Sequence, residues 1–375
     1  MKKLNHFKRT SALILSLLIL LLTACDKNID GLEDDTPTTS TVIQSNDTVS
    51  YYETIKVPFK NVLSPIKHDD KLIMAVATED RTETDCCYLV SYDIKSGEYE
   101  TIFESKHEYA NIQHVQCNES WLVWNDVELY GSASVIYFMN LATKNITKVN
   151  EFNPEAPSCT IPKLMGDCIY WIEEEGVAEE KIYGSVYSYN CKTGKKEKID
   201  KLNDIYLYNL SIAAGDGKVV WSEKIGSIWG VYIYDVNLGS IKRIDTGEDC
   251  CYSVSCSNGY VLFAETKDFY RGDASAKTRL INLSNDEISD ANTMAIMPTI
   301  FDNYAFAFTA TSVCFYKRDG NSFVYLDSIR DSAVSATLSE NNIVITQVQN
   351  AGMGTPEGRV NETELHIFDF NNLSV

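Results

Sequence analysis

Apolar and polar residues alternate along this chain in short runs that recur at a nearly constant spacing. An aromatic or apolar run leads to Asp or Asn, a short turn follows, and a second alternating run comes next, as in VYIYDVNLGSIKRI (231–244) and VYSYNCKTGKKEKI (186–199). The Asx residues of this pattern are Asp93, Asn140, Asn190, Asp235, Asn282 and Asp369. Because an Asx side chain caps its own turn and Gly takes the left-handed position, each copy predicts a β-hairpin. We therefore expect a structural role for these Asx residues.

The repeat has a pitch of 45 to 50 residues, and the final Asx gap of 87 residues spans two repeats. The copy without the Asx pattern is VCFYKRDG, 313–320. A buried β-branched or aromatic run precedes each hairpin, and a weaker third run comes before it. The buried runs are KLIMAVA (71–77), SWLVWND (120–126), CIYWIEE (168–174), KVVWSEK (218–224), YVLFAET (260–266), YAFAFTA (304–310) and NIVITQV (342–348). Each unit thus contains four strands.

Short four-stranded units at this pitch indicate the blades of a β-propeller. Seven units fit between Asn61 and Val375, so we predict an all-β fold, a propeller with seven blades of four antiparallel strands. Six blades are the alternative, because 301–330 is the poorest copy. The last unit lacks an outer strand after 364–370, while a spare strand, 52–59, precedes the first unit. We expect strand 52–59 to complete the last blade and close the ring, which removes exposed sheet edges.

The N-terminus predicts an exported, lipid-anchored protein. A basic start is followed by an apolar run too short to span a bilayer, and the run ends in LTAC, 22–25. LTAC resembles the lipobox of bacterial lipoproteins, in which the Cys is acylated. We predict a lipoprotein signal peptide at 1–24, a lipidated Cys25 with a disordered acidic tether at 25–50, and a propeller domain at 51–375. The alternative is an ordinary signal peptide with a chance Cys.

The composition restricts the classes of molecule that this chain can bind. The chain has 53 acidic and 33 basic residues, a net charge of −20, and its basic residues are scattered. This argues against nucleic acid as a partner and suits an extracytoplasmic domain. Eleven Cys residues match no compact disulfide framework. One possibility is that Cys250 or Cys251 pairs with Cys256, or that Cys159 pairs with Cys168. The other is that these thiols are free.

Motifs of catalysis and cofactor binding are missing from the sequence. It contains no GxSxG, HExxH, CxxC, P-loop or EF-hand loop, and its five His residues are dispersed. We therefore predict no catalytic residue, no metal and no cofactor.

One polar pattern accompanies the buried runs. In four consecutive units an acid stands two residues after an aromatic, and residues i and i+2 share one side of a strand. The pairs are Trp124 and Asp126, Trp171 and Glu173, Trp221 and Glu223, and Phe263 and Glu265. In a ring these acids would form an arc on one rim, with Phe308 and Gln347 at the same place in units 6 and 7. The arc predicts binding of cations, basic peptides or amines, and the alternative is four solvated loop starts.

Two aromatic residues fall in predicted loops, Tyr130 in VELYGSAS and Trp229 in GSIWGVY. Exposed aromatic rings on a propeller face stack on sugars or peptides. These two are therefore further candidates for contact with a ligand.

A resemblance adds to this picture. The segment GDGKVVWSEKIGSIWGVYIYDVNLGSIKRI, 215–244, resembles a blade of the TolB-type and prolyl-oligopeptidase-type propellers. The SPDG turn common in those blades and the WD dipeptide of WD repeats are both missing. The resemblance implies a propeller, and its TolB side implies an envelope scaffold that works through protein partners.

Three functions remain open on the sequence. The first is a lipid-anchored, non-enzymatic binding protein whose partner is an extracytoplasmic protein, peptide or glycan. The second is an enzyme that acts on a polysaccharide or peptide, with rim acids as general acid and base. The third is an envelope scaffold.

Overall fold

The computed structural model describes residues 52–77, 85–107, 109–128, 134–150, 161–178, 181–202, 212–267, 276–292, 296–308, 312–330, 333–339, 342–348 and 363–372. These residues form β-strands and one short 3-10 turn, Phe370–Asn372. The predicted signal peptide, Cys25 and the tether lie outside the described residues. No helix among the described residues is long and apolar enough to span a lipid bilayer.

The strands are numbered β1 to β28 in chain order. The first two blades and the strand before them are formed by β1 (Tyr52–Val57), β2 (Asn61–His68), β3 (Lys71–Ala77), β4 (Tyr88–Asp93), β5 (Tyr99–Glu104), β6 (Ala110–Cys117), β7 (Trp121–Glu128), β8 (Ser134–Asn140) and β9 (Ile146–Lys148). The third and fourth blades are formed by β10 (Lys163–Met165), β11 (Cys168–Ala178), β12 (Lys181–Asn190), β13 (Lys195–Leu202), β14 (Ile212–Gly215), β15 (Lys218–Ile225), β16 (Ile228–Asp235) and β17 (Ser240–Gly247). The remaining strands are β18 (Cys250–Ser257), β19 (Tyr260–Thr266), β20 (Lys277–Asn282), β21 (Glu287–Asp290), β22 (Ile296–Phe301), β23 (Tyr304–Phe308), β24 (Ser312–Asp319), β25 (Ser322–Arg330), β26 (Ala333–Ser339), β27 (Ile343–Val348) and β28 (Thr363–Asp369).

These strands form seven four-stranded antiparallel sheets, which confirms the seven-bladed propeller and excludes the six-bladed alternative. Blades 1 to 6 are the consecutive sets β2–β5, β6–β9, β10–β13, β14–β17, β18–β21 and β22–β25. The first strands of neighbouring blades contact one another from blade 7 through blade 1 to blade 6, so they line the centre of the ring. Blade 6 is a complete blade, although its sequence is the poorest copy.

Blade 7 is assembled from both ends of the domain. Its sheet has the order β1-β28-β27-β26, and β1 pairs with β28 from Tyr52 opposite Phe368 to Val57 opposite Thr363. The predicted closing strand is therefore confirmed, and it spans 52–57 rather than 52–59. Beyond it, Phe59 is buried in one cluster with Val57 and with Val62 of blade 1. The closing strand thus joins the last blade to the first through both hydrogen bonds and packing.

The predicted Asx turns have the expected chemistry. Oδ1 of Asp93 accepts the backbone N–H of Ser96 at 2.8 Å, and Oδ1 of Asp235 accepts that of Leu238 at 3.0 Å. Gly97 and Gly239 then take φ of 73° and 63°, the left-handed region that Gly reaches without steric cost. Blade 6 lacks the pattern because its β24–β25 hairpin closes through a tighter turn, with Asp319 paired to Ser322.

The core consists of apolar clusters between adjacent blades. Trp124 of blade 2 is fully buried in a cluster with Ala75 and Leu89 of blade 1. Trp221 of blade 4 is buried likewise with Ile172 of blade 3. Since each sheet has apolar residues on both faces, a blade is stable only between two neighbours.

The described cysteines bear on the disulfide alternatives. Cys256 is a free thiol, so it is paired with neither Cys250 nor Cys251. Cys168 is also a free thiol, while its suggested partner, Cys159, lies outside the described residues.

Ring closure yields a test at Val57, whose side chain is fully buried. Val57→Ala removes buried apolar surface at the junction of blades 7 and 1, so we expect the free energy of unfolding to fall by about 1.5–3 kcal/mol. The neighbouring Lys56 is exposed on the same strand, and Lys56→Ala should change stability by about 0.5 kcal/mol or less. Chemical denaturation of both variants measures the difference, and equal effects would contradict the closing role of β1.

Candidate functional site

The four predicted acids occupy one position of the blade repeat. In each second strand the first residue pairs with the Asx residue, as Lys218 does with Asp235, and the acid stands five residues later. The aromatic residue on the same face packs against the preceding blade, as Trp124 and Trp221 do. Residues i and i+2 of a strand share a face, so each acid also points toward the preceding blade. The four acids therefore lie in four separate spaces between blades, from blades 1–2 to blades 4–5.

The strand register also corrects the equivalents in blades 6 and 7. Tyr304 begins the second strand of blade 6, and Ile343, opposite Asp369, begins that of blade 7. Phe308 and Gln347 are four residues further on, one short of the acid position, so they face the other side. The position itself falls on Val348 in blade 7 and outside the described residues in blade 6.

In blade 3 the acid is bound by its own blade. Oε2 of Glu173 accepts the indole N–H of Trp171 at 2.9 Å and forms an ion pair with Nζ of Lys196 at 3.2 Å. Lys196 also lies 4.1 Å above the ring of Tyr187, which stacks on Trp171 at 5.6 Å. The outer strand thus supplies a cation that neutralises the acid and covers both aromatic rings.

Blades 4 and 5 have an Arg near the acid or its aromatic neighbour instead of Lys196. In blade 4, Glu223 is buried beside Tyr232, whose pKa is raised to about 12 by burial and by the Glu223 charge. The guanidinium of Arg243 lies 5.8 Å from the Tyr232 ring. In blade 5, Nε of Arg279 is 3.5 Å from Oε2 of Glu265, and burial nevertheless raises the Glu265 pKa.

Blade 2 differs because its acid is almost inaccessible. Asp126 is 2% exposed, and its Oδ1 has no hydrogen-bond partner. Nε2 of His107 is 3.9 Å from its Oδ2. Burial raises the Asp126 pKa, and the Ser105 hydroxyl and the His107 ring oppose that shift. Ser105 and His107 stand between β5 and β6, and the sequence gives no signal that joins them to Asp126.

The two aromatic candidates have different outcomes. Trp229 is not in a loop, because β16 begins at Ile228 after the tight Gly226–Ser227 turn. Its ring is 2% exposed, and Nζ of Lys224 lies 5.9 Å from it. The expected exposure of Trp229 is therefore wrong. Tyr130 lies outside the described residues.

The centre of the ring was not a predicted site. Its innermost strands carry bulges at which Ser64, His114, Ser253 and Met297 take φ of 48° to 54°. The pairing with the second strand skips two residues at each of these points, as between Gln113 and Gln116. The N–H that this frees on His114 is donated to Oγ of Ser64 in blade 1, at 2.9 Å.

Two basic groups stand near one another on these innermost strands. His114 is in β6 of blade 2, and Lys163 begins β10 of blade 3. Both side chains are half-buried. Burial, reinforced by the Lys163 charge, lowers the His114 pKa to about 3, and burial also lowers the pKa of Lys163. His114 is therefore neutral at pH 7. No group of His, Cys, Asp and Glu among the described residues has the arrangement of a metal site.

Comparisons with known proteins show the fold and nothing finer. No family model matches the sequence, and no curated protein matches it. The β-propeller domain of the Trilobed protease from Pyrococcus furiosus, which has an open velcro topology, is similar, with 14% identity, a TM-score of 0.56 and coverage of 82% of this chain and 93% of that one. Oligogalacturonate lyase from Vibrio parahaemolyticus is 9% identical, with a TM-score of 0.55 and coverage of 86% and 95%.

Prolyl endopeptidase structures are also similar, at 11% identity and a TM-score of 0.52, over 80% of this chain and 46% of theirs. The likeness to TolB from Acinetobacter baumannii has a TM-score of 0.40, too low to carry an argument. Similar propellers therefore include domains of enzymes, and a shared fold at such identities does not transfer a function.

The raised pKa of Asp126 predicts a pH dependence of stability. Its folded state binds the proton more tightly than the unfolded chain, so the carboxyl costs stability as pH rises from its unfolded pKa, about 3.9, through its higher folded pKa. Asp126→Asn lacks this cost, and its thermal midpoint relative to wild type should rise between about pH 3 and pH 7.

Asp93→Asn is the matched control with the opposite sign. The backbone N–H of Ser96 lowers the Asp93 pKa, so the wild-type carboxylate stabilises the fold above its pKa. The midpoint of Asp93→Asn relative to wild type should therefore fall over the same range. Parallel curves for the two variants would contradict the assignment at Asp126.

Proposed function

We propose that this chain is a non-catalytic binding propeller, held by a lipid on Cys25 at the extracytoplasmic side of a bacterial cell membrane. Its partner is a protein, peptide or glycan outside the cytoplasm. Of the predicted contact residues, Glu173 and Glu265 keep partial exposure and are the ligand-contact candidates. Asp126, Glu223 and Trp229 are buried, and Tyr130 lies outside the described residues.

The observation that carries this proposal is the separation of the rim acids. Glu173 and Glu265 each face a cation of their own blade, Lys196 and Arg279. Catalysis by a carboxyl pair needs two acids about 5–10 Å apart across one bond, with one of them protonated. Four acids in four interblade spaces, two of them paired with cations of their own blades, favour recognition over that chemistry.

An enzyme that acts on a polysaccharide or peptide is the second candidate. It is favoured by the raised pKa values of Asp126 and Glu265, because a carboxyl kept neutral can serve as a general acid. Those two acids belong to blades 2 and 5, however, with two blades between them. Each would need an ionised partner from a neighbouring blade.

A ligand panel tests the binding role. Thermal unfolding of the purified protein is followed with cations, amines, basic peptides and neutral and acidic oligosaccharides. A ligand at 100 times its dissociation constant adds about 2.7 kcal/mol to stability. We expect a hit that is lost when Glu173 and Glu265 are both changed to Gln. Product formation from any hit would favour the enzyme instead, and a protein captured by crosslinking in the envelope, with no small-molecule hit, would favour the scaffold.

Anchoring has a separate test. Cys25→Ser should move the protein from the membrane fraction to the soluble extracytoplasmic fraction and abolish incorporation of labelled palmitate, because acylation needs the thiol. Cys168→Ser, which changes a free thiol of the propeller, is the control and should leave both unchanged. A Cys25→Ser protein that stays in the membrane fraction would overturn the anchor.

A further inference from the structure

The outer strand of blade 6, β25, differs from the outer strands of the other blades in the residues that it exposes. β9 and β21 have only three and four residues. The other long outer strands, β1, β5, β13 and β17, have exposed charged residues, among them Lys56, Glu100, Lys195 and Lys242. β25 has nine residues, SFVYLDSIR, and contains no lysine. Short length and charged residues, above all Lys, are the features that protect a sheet edge from pairing with another chain.

The free side of β25 carries backbone groups that are available for pairing. β25 stands at the end of its sheet, next to β24 alone. The N–H of Phe323 is donated to Ala291, just after β21 of blade 5, so the backbone of Phe323 points away from β24. Its partner Arg318 likewise donates its N–H away from β25, to Asn303. Backbone direction alternates along a strand, so the N–H and C=O of Tyr325 also face the free side.

Apolar side chains stand on both faces of this edge. Val324 and Tyr325 are 53% and 51% exposed. Tyr325 points to the same face as Phe323, which is buried in the cluster between blades 5 and 6. Val324 points to the same face as Leu326, which packs against the cluster between blades 6 and 7. A strand added beside β25 would therefore bury apolar surface on both faces of the blade.

We propose that the free edge of β25 is a docking site for an extended segment of another protein, which adds to blade 6 as a fifth strand. The segment has apolar residues at alternate positions and a Lys or Arg beside Asp327. In this mode of recognition, backbone hydrogen bonds supply affinity and alternate side chains supply specificity. The edge lies on a different blade from Glu173 and Glu265, so the inference goes beyond the proposed function and does not depend on it.

Asp327 gives the docking site its charge preference. It is the exposed charged residue within the apolar part of β25, and its Oδ1 accepts the backbone N–H of Ser328 at 2.7 Å. No cation among the residues that the structure describes forms an ion pair with Asp327. A Lys or Arg on the added strand would form a cross-strand ion pair with it, which stabilises neighbouring strands.

A second copy of this chain is a poorer occupant of the edge. Two β25 strands paired antiparallel about Leu326, the middle of the strand, would make their two Asp327 residues diagonal neighbours of like charge. Each copy also has a net charge of −20, so the copies repel each other as they approach. The same net charge attracts a basic segment, which favours a different protein as the partner.

Synthetic peptides test the binding mode with the full chain. Fluorescence anisotropy would compare a labelled nonapeptide of alternating Val and Thr with a central Lys, and the same peptide with Glu in place of Lys. We expect the Lys peptide to bind about twofold to fivefold more tightly, the scale of one cross-strand charge pair. No binding of the Lys peptide at millimolar concentration would overturn the proposal.

Methylated peptides distinguish strand addition from other ways of binding. Two versions of the Lys peptide would be N-methylated, each on one alternate set of amides. Because only alternate amides of an added strand face β25, one version should lose binding and the other should keep it. Equal binding of the two versions would overturn the proposal.

Variants place the site on β25. Val324→Lys introduces the residue that protects other outer strands, and it should weaken binding of the Lys peptide by about fivefold or more. Asp327→Lys should reverse the preference, so that the Glu peptide binds more tightly. Ile146→Lys changes an exposed apolar residue on β9 of blade 2 and should leave both affinities unchanged. An unchanged preference in Asp327→Lys would overturn the assignment.

A measurement on the wild-type protein does not depend on how the variants fold. Hydrogen exchange, read by mass spectrometry, should slow in β25 when the Lys peptide binds and stay unchanged in β17, the outer strand of blade 4. Slower exchange in other strands but not in β25 would overturn the site.

Sedimentation of the protein alone tests the other occupant. A dimer that Val324→Lys dissociates would assign the edge to a second copy and overturn the proposal, whereas a monomer is the expected result. If the peptide fails to bind while a ligand hit is lost when Glu173 and Glu265 are both changed to Gln, this inference fails and the proposed function stands.

Discussion

Closure of the ring by one strand from the start of the domain is the constraint on which the structure depends. Each blade buries apolar residues on both faces, so every blade needs two neighbours. Six of the seven junctions join blades that follow one another in the chain. The seventh needs β1, whose pairing with β28 places Val57 and Phe59 in one cluster with Val62 and Met74 of blade 1.

The same constraint explains the repeated aromatic and acidic pair. A wide aromatic side chain fills the space between two blades. The next residue on the same face of the strand lies at the edge of that space, where a carboxylate can accept a hydrogen bond from a donor. This arrangement is seen in blade 3, where Glu173 follows Trp171 and pairs with Lys196. In blade 5, Glu265 follows Phe263 and pairs with Arg279. Gly230 belongs to the same arrangement, because a Cβ there would meet Nε of Arg243 at 2.6 Å. Regular spacing of acids therefore reflects a repeated packing environment.

Local turn chemistry made most of the fold predictable. Asp93 and Asp235 set the hairpins, and a missing outer strand at one end with a spare strand at the other indicated how the ring closes. The predictions that failed concern contacts between residues that are distant in the chain. Phe308 and Gln347 were assigned one residue out of register because nothing in the sequence marks where their strands begin to pair. The partners Lys196 and His107, and the bulge at His114, follow from tertiary pairing and have no local signature.

The ion pairs of the rim limit what a ligand can gain there. A cation that approaches Glu173 must compete with Lys196 and its two aromatic rings, so the net gain is the difference between two similar ion pairs. A single charge on a ligand therefore gains little at this position. The rim is better suited to a larger partner whose contacts extend beyond one ion pair.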